Sequence, residues 1–477
     1  MSFASPLFLW YFLPVVLAAV LIAPRSGRNA VIAVASLVFY ASGAGGTTLL
    51  LLVCIVVNYL AGLRLEPRPD RDARNRKLLL AATVAVNLTI LFIWKYAGFA
   101  TAQIAVLASW FGIDDYPVLE LVLPIGISFY TFHHISYVVD IYRGERPALR
   151  NPVSFVTYIA MFPQLVAGPI VRYREIAHQL PQLRTHRLDD IAAGLPRFAW
   201  GLTKKVVVAD TIAPVVDACF ATPEEDMTSA IAWLGAIGYA MQLYFDFSGY
   251  SDMAIGLGRM LGFRLPENFA RPYSSVTVTE FWRRWHMSLS RWFRDYVYIP
   301  LGGNRRGTAR TYRNLGIIFA LTGFWHGAAW TYLVWGLYHG ALLIVERATG
   351  WDRAPAGRWP QLARRALTLL LVTLGWVFFR APDLGVALNM LGHMLVPDFA
   401  GLTEIVAASM TNQRMAFLLL SLLVVLLPAG SGTGAVLETD RTVPAKVLRV
   451  AVLTVGLLYA GLLVATGSFS PFLYYQF

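Results

Sequence analysis

The chain has 477 residues, of which 57% are hydrophobic and 14% are charged. A soluble domain carries roughly 25% charged residues, so this composition excludes a soluble protein of this length. The apolar residues recur in blocks long enough to cross a bilayer, which predicts an all-α polytopic membrane protein. The net charge of +12 is interpreted as loop topology, and nucleic-acid binding is not expected because no basic soluble domain is present.

The apolar blocks, taken in chain order, predict about 10–12 transmembrane helices. Cys54 and Cys219 lie in or near such blocks and indicate neither a disulfide nor a metal framework. Two blocks are ambiguous: 118–141 is interrupted by Pro124, and 315–345 is long enough for two passes or for one pass with a re-entrant piece. The clear spans are predicted at residues 7–22, 30–40, 49–63, 78–94, 152–170, 230–247, 367–379, 415–427 and 447–466.

The charges of the loops predict the orientation of the chain. Arg25 and Arg28 follow the first block, and residues 64–77, after the third block, hold five arginines and one lysine. The intervening loop 41–46 is uncharged, and the loop after the fourth block is acidic at 114–115. Because basic loops remain in the cytoplasm, the N-terminus is predicted outside, and so is the C-terminus if the number of spans is even. The first block lacks a preceding basic segment and is interpreted as a span, not as a cleaved signal peptide.

Residues 264–313 form an arginine-rich segment with ten arginines, no lysine and three acidic residues. Interleaved aromatic residues favour an interfacial helix at the level of the lipid headgroups. The same pattern suits an anionic ligand, because guanidinium groups pair bidentately with phosphate. The absence of lysine favours a phosphate role for some members, and the candidates are Arg283, Arg284, Arg291 and Arg305.

Two histidines are candidates for chemistry. His326 lies midway through an apolar stretch, and a titratable residue at membrane depth is a functional candidate by default. A neutral imidazole can act as a general base on a hydroxyl, whereas the alternative is a histidine that only packs between helices. His286 lies in the arginine-rich segment, where its spacing alone favours an interfacial, aromatic-like role.

Other polar residues of the apolar blocks suggest structural roles. His133, His134 and His339 have no acidic or cysteine partner at helical spacing, so no metal site is predicted. Asp246 and Asp252 are interpreted as intramembrane residues or as residues at a helix break around Gly249, and pairing with an arginine is favoured over ion binding. These features do not choose between an enzyme and a transporter.

Five ordered stretches of the sequence resemble the membrane-bound O-acyltransferase family, specifically its bacterial alginate O-acetyltransferase branch. The resemblance implies a ring of tilted helices around a central funnel, with re-entrant and interfacial helices. It also implies one domain, with N-terminal spans at 1–122, a catalytic core at 123–345, and C-terminal spans and an aromatic tail at 346–477. The stretches are LPIGISFYTFHHISYVVDIYRGE (123–145), MFPQLVAGPIVRY (161–173), FDFSGYSDMAIGLGRMLGFRLPENF (245–269), TEFWRRWHMSLSRWFRDYVYIPLGGNR (279–305) and LTGFWHGAAWTYLVWGLYHG (321–340).

The resemblance assigns roles to the two histidines: His326 matches the family's catalytic histidine and His286 its second histidine. It implies acetyl-CoA as the cytoplasmic acyl donor and a location in the bacterial inner membrane, where the loop charges predict both termini on the periplasmic side. The implied partners are the lipid bilayer, a periplasmic SGNH-type acetyltransferase and a polysaccharide acceptor such as alginate. One departure is His133, which stands where relatives usually have a glutamine or a similar residue.

The tail segment 467–477 contains a second pattern. Phe472, Tyr474 and Phe477 match an F-x-Y-x-x-F arrangement seen in relatives that export acyl groups, where the tyrosine is thought to accept the acyl group. A phenol with a pKa near 10 is a better leaving group for onward transfer than a sugar hydroxyl. Tyr474 is therefore the candidate acyl carrier, with Tyr475 as the neighbour to exclude, and an interfacial aromatic belt is the alternative.

The sequence analysis thus leads to one hypothesis and three alternatives. The hypothesis is an O-acetyltransferase in which His326 activates an acceptor hydroxyl, with that of Tyr474 as the candidate, for attack on the thioester of acetyl-CoA. The alternatives are a D-alanyl exporter supplied by a carrier protein, a secondary transporter or flippase, and a structural membrane scaffold.

Overall fold

Helices make up all the regular secondary structure that the structure describes, which confirms the predicted all-α class. The chain divides into two units, unit 1 with Met1–Leu195 and Ala254–Pro266, and unit 2 with Pro196–Met253 and Glu267–Phe477. The predicted division at residues 122 and 345 stays a prediction, as does the number of spans. The computed structural model describes residues 1–69, 72–181, 187–398, 400–427, 432–467 and 472–473.

Unit 1 is built around three neighbouring helices, since α3 packs against both α4 and α5, and α2 packs against α6. Polar side chains begin two of its helices: Asp72 accepts a hydrogen bond from the N–H of Arg74 at the start of α4, and Asn151 accepts one from Val153 at the start of α6. The helices are α1 (Leu13–Ile22), α2 (Arg28–Ala44), α3 (Thr48–Leu65), α4 (Ala73–Ser109), α5 (Ile127–Tyr142), α6 (Pro152–Ala160), α7 (Phe162–Leu165) and α8 (Tyr173–Ile176).

Unit 2 contains the remaining helices, apart from the first half of α9 and the last turns of α11, which belong to unit 1. A π-helical turn over Thr203–Ala209 joins α9 to α10. The helices are α9 (Arg187–Leu202), α10 (Asp210–Phe220), α11 (Ser229–Met260), α12 (Val278–Arg284), α13 (Met287–Phe293), α14 (Thr308–His326), α15 (Trp330–Thr349), α16 (Arg358–Arg380), α17 (Leu384–Leu395), α18 (Glu404–Ser409), α19 (Asn412–Leu426), α20 (Thr433–Thr439), α21 (Val443–Ala451) and α22 (Leu457–Ala465).

Several helices are suited to contact lipid. Among the described residues, four helical stretches are long and apolar enough to cross a membrane: Arg25–Leu65, Ala73–Ser109, Arg358–Arg380 and Val443–Ala465. Within Ala73–Ser109, only 17% of the most apolar 18-residue stretch is buried in the protein. Since such an apolar surface cannot face water at this length, these helices make the chain a multi-pass membrane protein.

The predicted span at 152–170 is wrong. The helix ends at Ala160, and Met161 adopts a non-helical conformation before the short helix that contains Pro163. Nearly all of this block is buried in unit 1, including Gln164. An apolar block buried in protein has the same composition as one buried in lipid, so hydropathy could not distinguish them.

The ambiguous block at 315–345 forms two helices, α14 and α15, separated by residues 327–329. Their backbones touch directly, because a Cβ on Gly323 would overlap the carbonyl oxygen of Tyr332. A Cβ on Gly336 would likewise overlap the carbonyl oxygen of Phe319. The glycines therefore bring the end of α14 directly against α15.

Of the two alternatives for Asp246 and Asp252, the helix break around Gly249 is excluded, because α11 is continuous from Ser229 to Met260. Gly249 instead allows a close approach, since a Cβ there would lie 2.8 Å from the carbonyl oxygen of Gly201. The end of α9 therefore packs directly on α11 within unit 2.

Candidate active site

His326 is the last residue of α14 and has 4% of its surface exposed. Three aromatic rings surround its imidazole, those of Trp325, Trp335 and Phe379, with centroids 4.8, 5.1 and 5.0 Å away. Gly327, which follows, takes an extended conformation that ends the helix. The rings exclude bulk water from the imidazole, a condition that favours controlled proton transfer.

His286 lies between α12 and α13 with 1% of its surface exposed. Its backbone adopts the left-handed conformation, with φ 43° and ψ 52°, which costs a non-glycine residue about 1 kcal/mol or more. Among the described non-glycine residues only Arg271 shares a positive φ. Such strain is retained where the surrounding structure fixes a side chain in a required direction.

The side chain of Asn268 fixes that direction. Its Oδ1 lies 3.1 Å from Nδ1 of His286 and accepts hydrogen bonds from the N–H and the hydroxyl of Ser288, at 3.2 and 2.8 Å. Its Nδ2 donates to the hydroxyl of Ser251 at 3.0 Å, which orients the amide. Because Oδ1 is an acceptor, Nδ1 is the protonated nitrogen of the neutral His286 ring, and Nε2 keeps the lone pair.

The structure brings the two predicted histidines together inside unit 2. The ring centroids of His286 and His326 are 6.5 Å apart, and Trp325 lies beside both rings. At this separation the two imidazoles can act on opposite sides of one small reacting group. A base and a second donor or acceptor so arranged suit the transfer of an acyl group to a hydroxyl.

Glu346 joins α15, the helix that packs against α14, to the start of α12. It lies near the end of α15, is largely buried, and accepts hydrogen bonds from the N–H groups of Val278 and Thr279 at 2.7 and 2.8 Å. These are first-turn donors of α12, which a helix cannot satisfy by itself. Thr277 caps the same helix by accepting a hydrogen bond from the N–H of Glu280 at 2.9 Å. These hydrogen bonds thus join the end of α15 to the start of α12, the helix that leads to His286.

The four candidate arginines have different surroundings. Arg284 forms an ion pair with Glu280 at 2.7 Å, and Arg291 donates to the carbonyl oxygen of Glu267 at 2.9 Å. Arg283 and Arg305 instead carry exposed side chains. Arg284 and Arg291 therefore stabilise the loop and helices around His286, whereas Arg283 and Arg305 can be reached from solvent.

A buried ionic cluster, centred on Arg197, was not predicted from the sequence. Its guanidinium contacts Asp252 at 3.1 Å, Glu267 at 2.6 Å and Glu438 at 2.7 Å, and Lys204 contacts Asp252 at 2.6 Å. Arg197 itself is 2% exposed. Charges buried to this degree persist only when they are paired, so the cluster fixes three distant parts of unit 2 to one another.

The prediction that both aspartates pair with arginine is confirmed for Asp252 and wrong for Asp246. Asp246 pairs with Lys205 at 2.7 Å, and Lys205 also contacts Asp210 at 2.7 Å. Lys205 lies on the π-helical turn, whose wider backbone places two successive lysines toward α11. The sequence feature that indicates this pairing is the pair of adjacent lysines, Lys204 and Lys205, in an apolar stretch, for which no role was predicted.

The acyl-carrier candidate Tyr474 lies outside the described residues. Two residues just before it are described, and both are buried: Phe472 is 1% and Leu473 is 9% exposed. Leu473 belongs to the same buried apolar cluster as Trp335 and Phe379, which flank His326.

The other three histidines singled out in the sequence have different surroundings. His133 and His134 are buried in α5 of unit 1, and the N–H of Val171 donates to His133 at 3.4 Å. His339 packs among aromatic rings, including that of Trp282 at 5.2 Å. In the described parts of the chain, no group of three or more histidine, cysteine or acidic side chains is arranged to hold a metal ion.

Comparison with known proteins agrees with the resemblance. The profile of the membrane-bound O-acyltransferase family matches residues 142–356. The probable alginate O-acetylase AlgI of Azotobacter vinelandii is 44% identical over the whole of both chains. The peptidoglycan O-acetyltransferase of Helicobacter pylori is 36% identical over 87% of this chain and 83% of its own. The teichoic acid D-alanyltransferase of Bacillus subtilis is 30% identical over 55% of this chain and 70% of its own.

The matched region includes both histidines, Asn268 and Glu346, so the site described above lies inside the family's shared part. The identity of 44% extends along the whole of both aligned sequences, so the similarity is not confined to residues 142–356. The chain belongs to the membrane-bound O-acyltransferase family, as an O-acyltransferase of its alginate O-acetylase-like branch.

Proposed function

We propose that this protein moves acetyl groups from cytoplasmic acetyl-CoA across the bacterial inner membrane for the O-acetylation of an exopolysaccharide such as alginate. The observation that carries the proposal is the pair of buried histidines, His286 and His326, with ring centroids 6.5 Å apart. Relatives named for alginate and for peptidoglycan O-acetylation support a polysaccharide as the final acceptor. The charge pattern of the loops supports periplasmic termini.

In the proposed reaction, His326 accepts the proton of an acceptor hydroxyl, whose oxygen attacks the thioester carbonyl carbon. The bond between that carbon and sulfur then breaks, and the proton passes from His326 to the departing thiolate of coenzyme A. His286, held with Nε2 as its lone-pair nitrogen, orients the donor or assists the proton transfer. Histidine suits this exchange because its two protonation states are both accessible near neutral pH.

The proposed acceptor is the phenol of Tyr474, which would carry the acetyl group as a phenolic ester. A phenolate is a better leaving group than a sugar alkoxide, so the ester favours onward transfer. A periplasmic SGNH-type acetyltransferase would then take the acetyl group to the polysaccharide. The burial of Phe472 and Leu473 in unit 2 supports a tail that approaches the histidines, not a purely interfacial belt.

The donor phosphates are proposed to bind arginines of the segment 283–306. Arg283 and Arg305 fit direct contact, because their side chains are exposed. Arg284 and Arg291 are already engaged with Glu280 and with the backbone of Glu267, so we assign them the indirect role of holding that surface. Guanidinium groups in pairs match the geometry of phosphate oxygens.

The test is transfer of label from radiolabelled acetyl-CoA by the purified full chain. His326→Ala should lower the rate by roughly 10²- to 10⁴-fold, the usual contribution of a general base. His393→Ala, a partly exposed histidine on α17, is the control and should keep the wild-type rate. Full activity of a folded His326→Ala protein would overturn the central claim, and full activity of Tyr474→Phe would overturn the acyl-carrier step.

A D-alanyl exporter is the second candidate, favoured by the 30% identity to the teichoic acid D-alanyltransferase of Bacillus subtilis. Such an enzyme would receive its acyl group from a carrier protein. Supplying the purified chain with either acetyl-CoA or a D-alanyl carrier protein separates the two candidates. Turnover with the carrier protein and none with acetyl-CoA would show that the carrier protein is the donor. Membership of an acyltransferase family disfavours the transporter and scaffold alternatives.

A further inference from the structure

Phe472 and Leu473 make specific buried contacts within unit 2. The ring of Phe472 lies edge-on to that of Tyr250, with centroids 4.3 Å apart, and the ammonium group of Lys205 lies 4.8 Å from the Phe472 centroid. The backbone N–H of Leu473 donates a hydrogen bond to Oδ2 of Asp246 at 3.2 Å. The segment is thus held by an aromatic contact, a cation–π contact and a hydrogen bond to a charge.

The groups that hold it are almost completely buried. Lys205 is 1% and Asp246 is 2% exposed at the side chain. The two oxygens of Asp246 have different partners: Oδ1 contacts the ammonium group of Lys205, and Oδ2 accepts from Leu473. Lys205 also contacts Asp210, so two carboxylates share one ammonium group. The N–H of Leu473 therefore supplies part of the stabilisation that Asp246 needs for its buried negative charge.

We propose that Lys205, Asp246 and Tyr250 form a tail socket, a binding site within unit 2 for the Phe472–Leu473 segment of the same chain. The occupant is defined by its chemistry: an aromatic ring enters between Lys205 and Tyr250, and the N–H of the next residue reaches the carboxylate. Without the segment, a buried carboxylate oxygen would lose this donor, so the seated arrangement is favoured over an open one.

The tail socket acts by positioning. Tyr474 directly follows Leu473 in the chain, so a fixed Leu473 backbone limits where that phenol can reach. This consequence rests on the proposed function, in which Tyr474 accepts the acetyl group. The three socket residues are positioning residues in this scheme, because they contact the tail and not the reacting atoms.

Accessibility of a cysteine tests the socket without any measurement of activity. Leu473→Cys, in a chain with Cys54 and Cys219 replaced by serine, should react with a maleimide at least about tenfold more slowly than Thr466→Cys, which is exposed. Adding Phe472→Ala should remove this protection, because burial of a phenylalanine ring is worth roughly a tenfold or larger factor in occupancy. Adding Phe92→Ala, the same change at an exposed ring on α4, should leave the protection intact.

Transfer of label from acetyl-CoA by the same variants separates the socket from the relay. Phe472→Ala should slow transfer about tenfold or more, in proportion to the lost occupancy, whereas Phe92→Ala should not. Protection of Leu473→Cys together with full activity of Tyr474→Phe would support the socket and overturn the relay. Labelling of Leu473→Cys as fast as Thr466→Cys, in a folded and active chain, would overturn the socket even if Tyr474→Phe were inactive.

Discussion

Helix α4 and the pair α12–α13 represent two ways in which this chain forms helices. α4 has 37 residues, so its interior hydrogen bonds are satisfied within the helix, and its apolar surface is mostly unburied by protein. α12 and α13 have seven residues each, and a helix leaves four N–H and four C=O groups unsatisfied at its ends. The short helices therefore depend on side chains from elsewhere, namely Glu346, Thr277 and Asn268.

This difference explains where the candidate active site lies. A long lipid-facing helix tolerates small shifts along its unburied side, because lipid contacts that surface without preference. A short helix held by named hydrogen bonds has one position, so a side chain on it can be placed to within a fraction of an ångström. His286 stands between two such helices, in a strained backbone conformation that the surrounding contacts maintain.

The largest expected effect comes from the buried charges of unit 2. Arg197→Leu removes the cation that Asp252, Glu267 and Glu438 share, and an uncompensated buried charge costs about 3–5 kcal/mol. Arg283→Leu, at an exposed position of the same unit, should change stability by less than about 0.5 kcal/mol. Thermal unfolding of both variants in detergent measures the difference, and equal midpoints would contradict the structural role of the cluster.

A second pair of variants compares the two kinds of helix directly. Glu346→Gln weakens the hydrogen bonds to the first turn of α12 and should lower the free energy of unfolding by about 1–3 kcal/mol. Asn87→Leu breaks the mutual hydrogen bonds between Asn87 on α4 and Asn58 on α3, which in a membrane are worth about 0.6 kcal/mol on average. A larger loss for Asn87→Leu than for Glu346→Gln would reverse the comparison.

The long apolar helices could be predicted from the sequence because one local property, apolarity over about 20 residues, specifies them. The block at 152–170 was the exception, since its apolar side chains contact protein and not lipid. The ionic cluster could not be predicted, because Arg197 and Glu438 are 241 positions apart and no local pattern relates them. His326 was identified by its apolar surroundings and the resemblance, and His286 by the resemblance. The role of Asn268 needed its folded contacts with His286 and Ser288.

Asn268 provides a smaller, more specific test of the site. Asn268→Leu removes the acceptor that selects the tautomer of His286 and should lower the rate of acetyl transfer about tenfold, the value of one lost hydrogen bond. Asn268→Asp keeps an acceptor but adds a negative charge beside the ring, which stabilises the imidazolium form. The acidic limb of the pH–rate profile should therefore move to higher pH in Asn268→Asp, a shift that loss of structure alone would not produce. An unchanged profile would mean that His286 takes no part in proton transfer.

The smallest expected effect lies at the loop after α17, where a surface contact can be tested by pH. The hydrogen bond from His393, at 3.0 Å, lowers the pKa of Asp398 below its ordinary value of 3.8, with further donors from Ser229. A carboxyl group with a lowered pKa in the folded protein stabilises that protein above the unfolded pKa, and the contribution is lost as the pH falls through the folded pKa. Asp398→Asn should thus lower the thermal midpoint slightly at pH 7, while the difference from wild type should disappear as the pH falls through the lowered pKa of Asp398 in the folded protein. A difference that persisted unchanged at low pH would show that the contact stabilises the loop by packing and not by the charge of Asp398. The loop would then resemble the lipid-facing helices, whose position depends little on any single polar group.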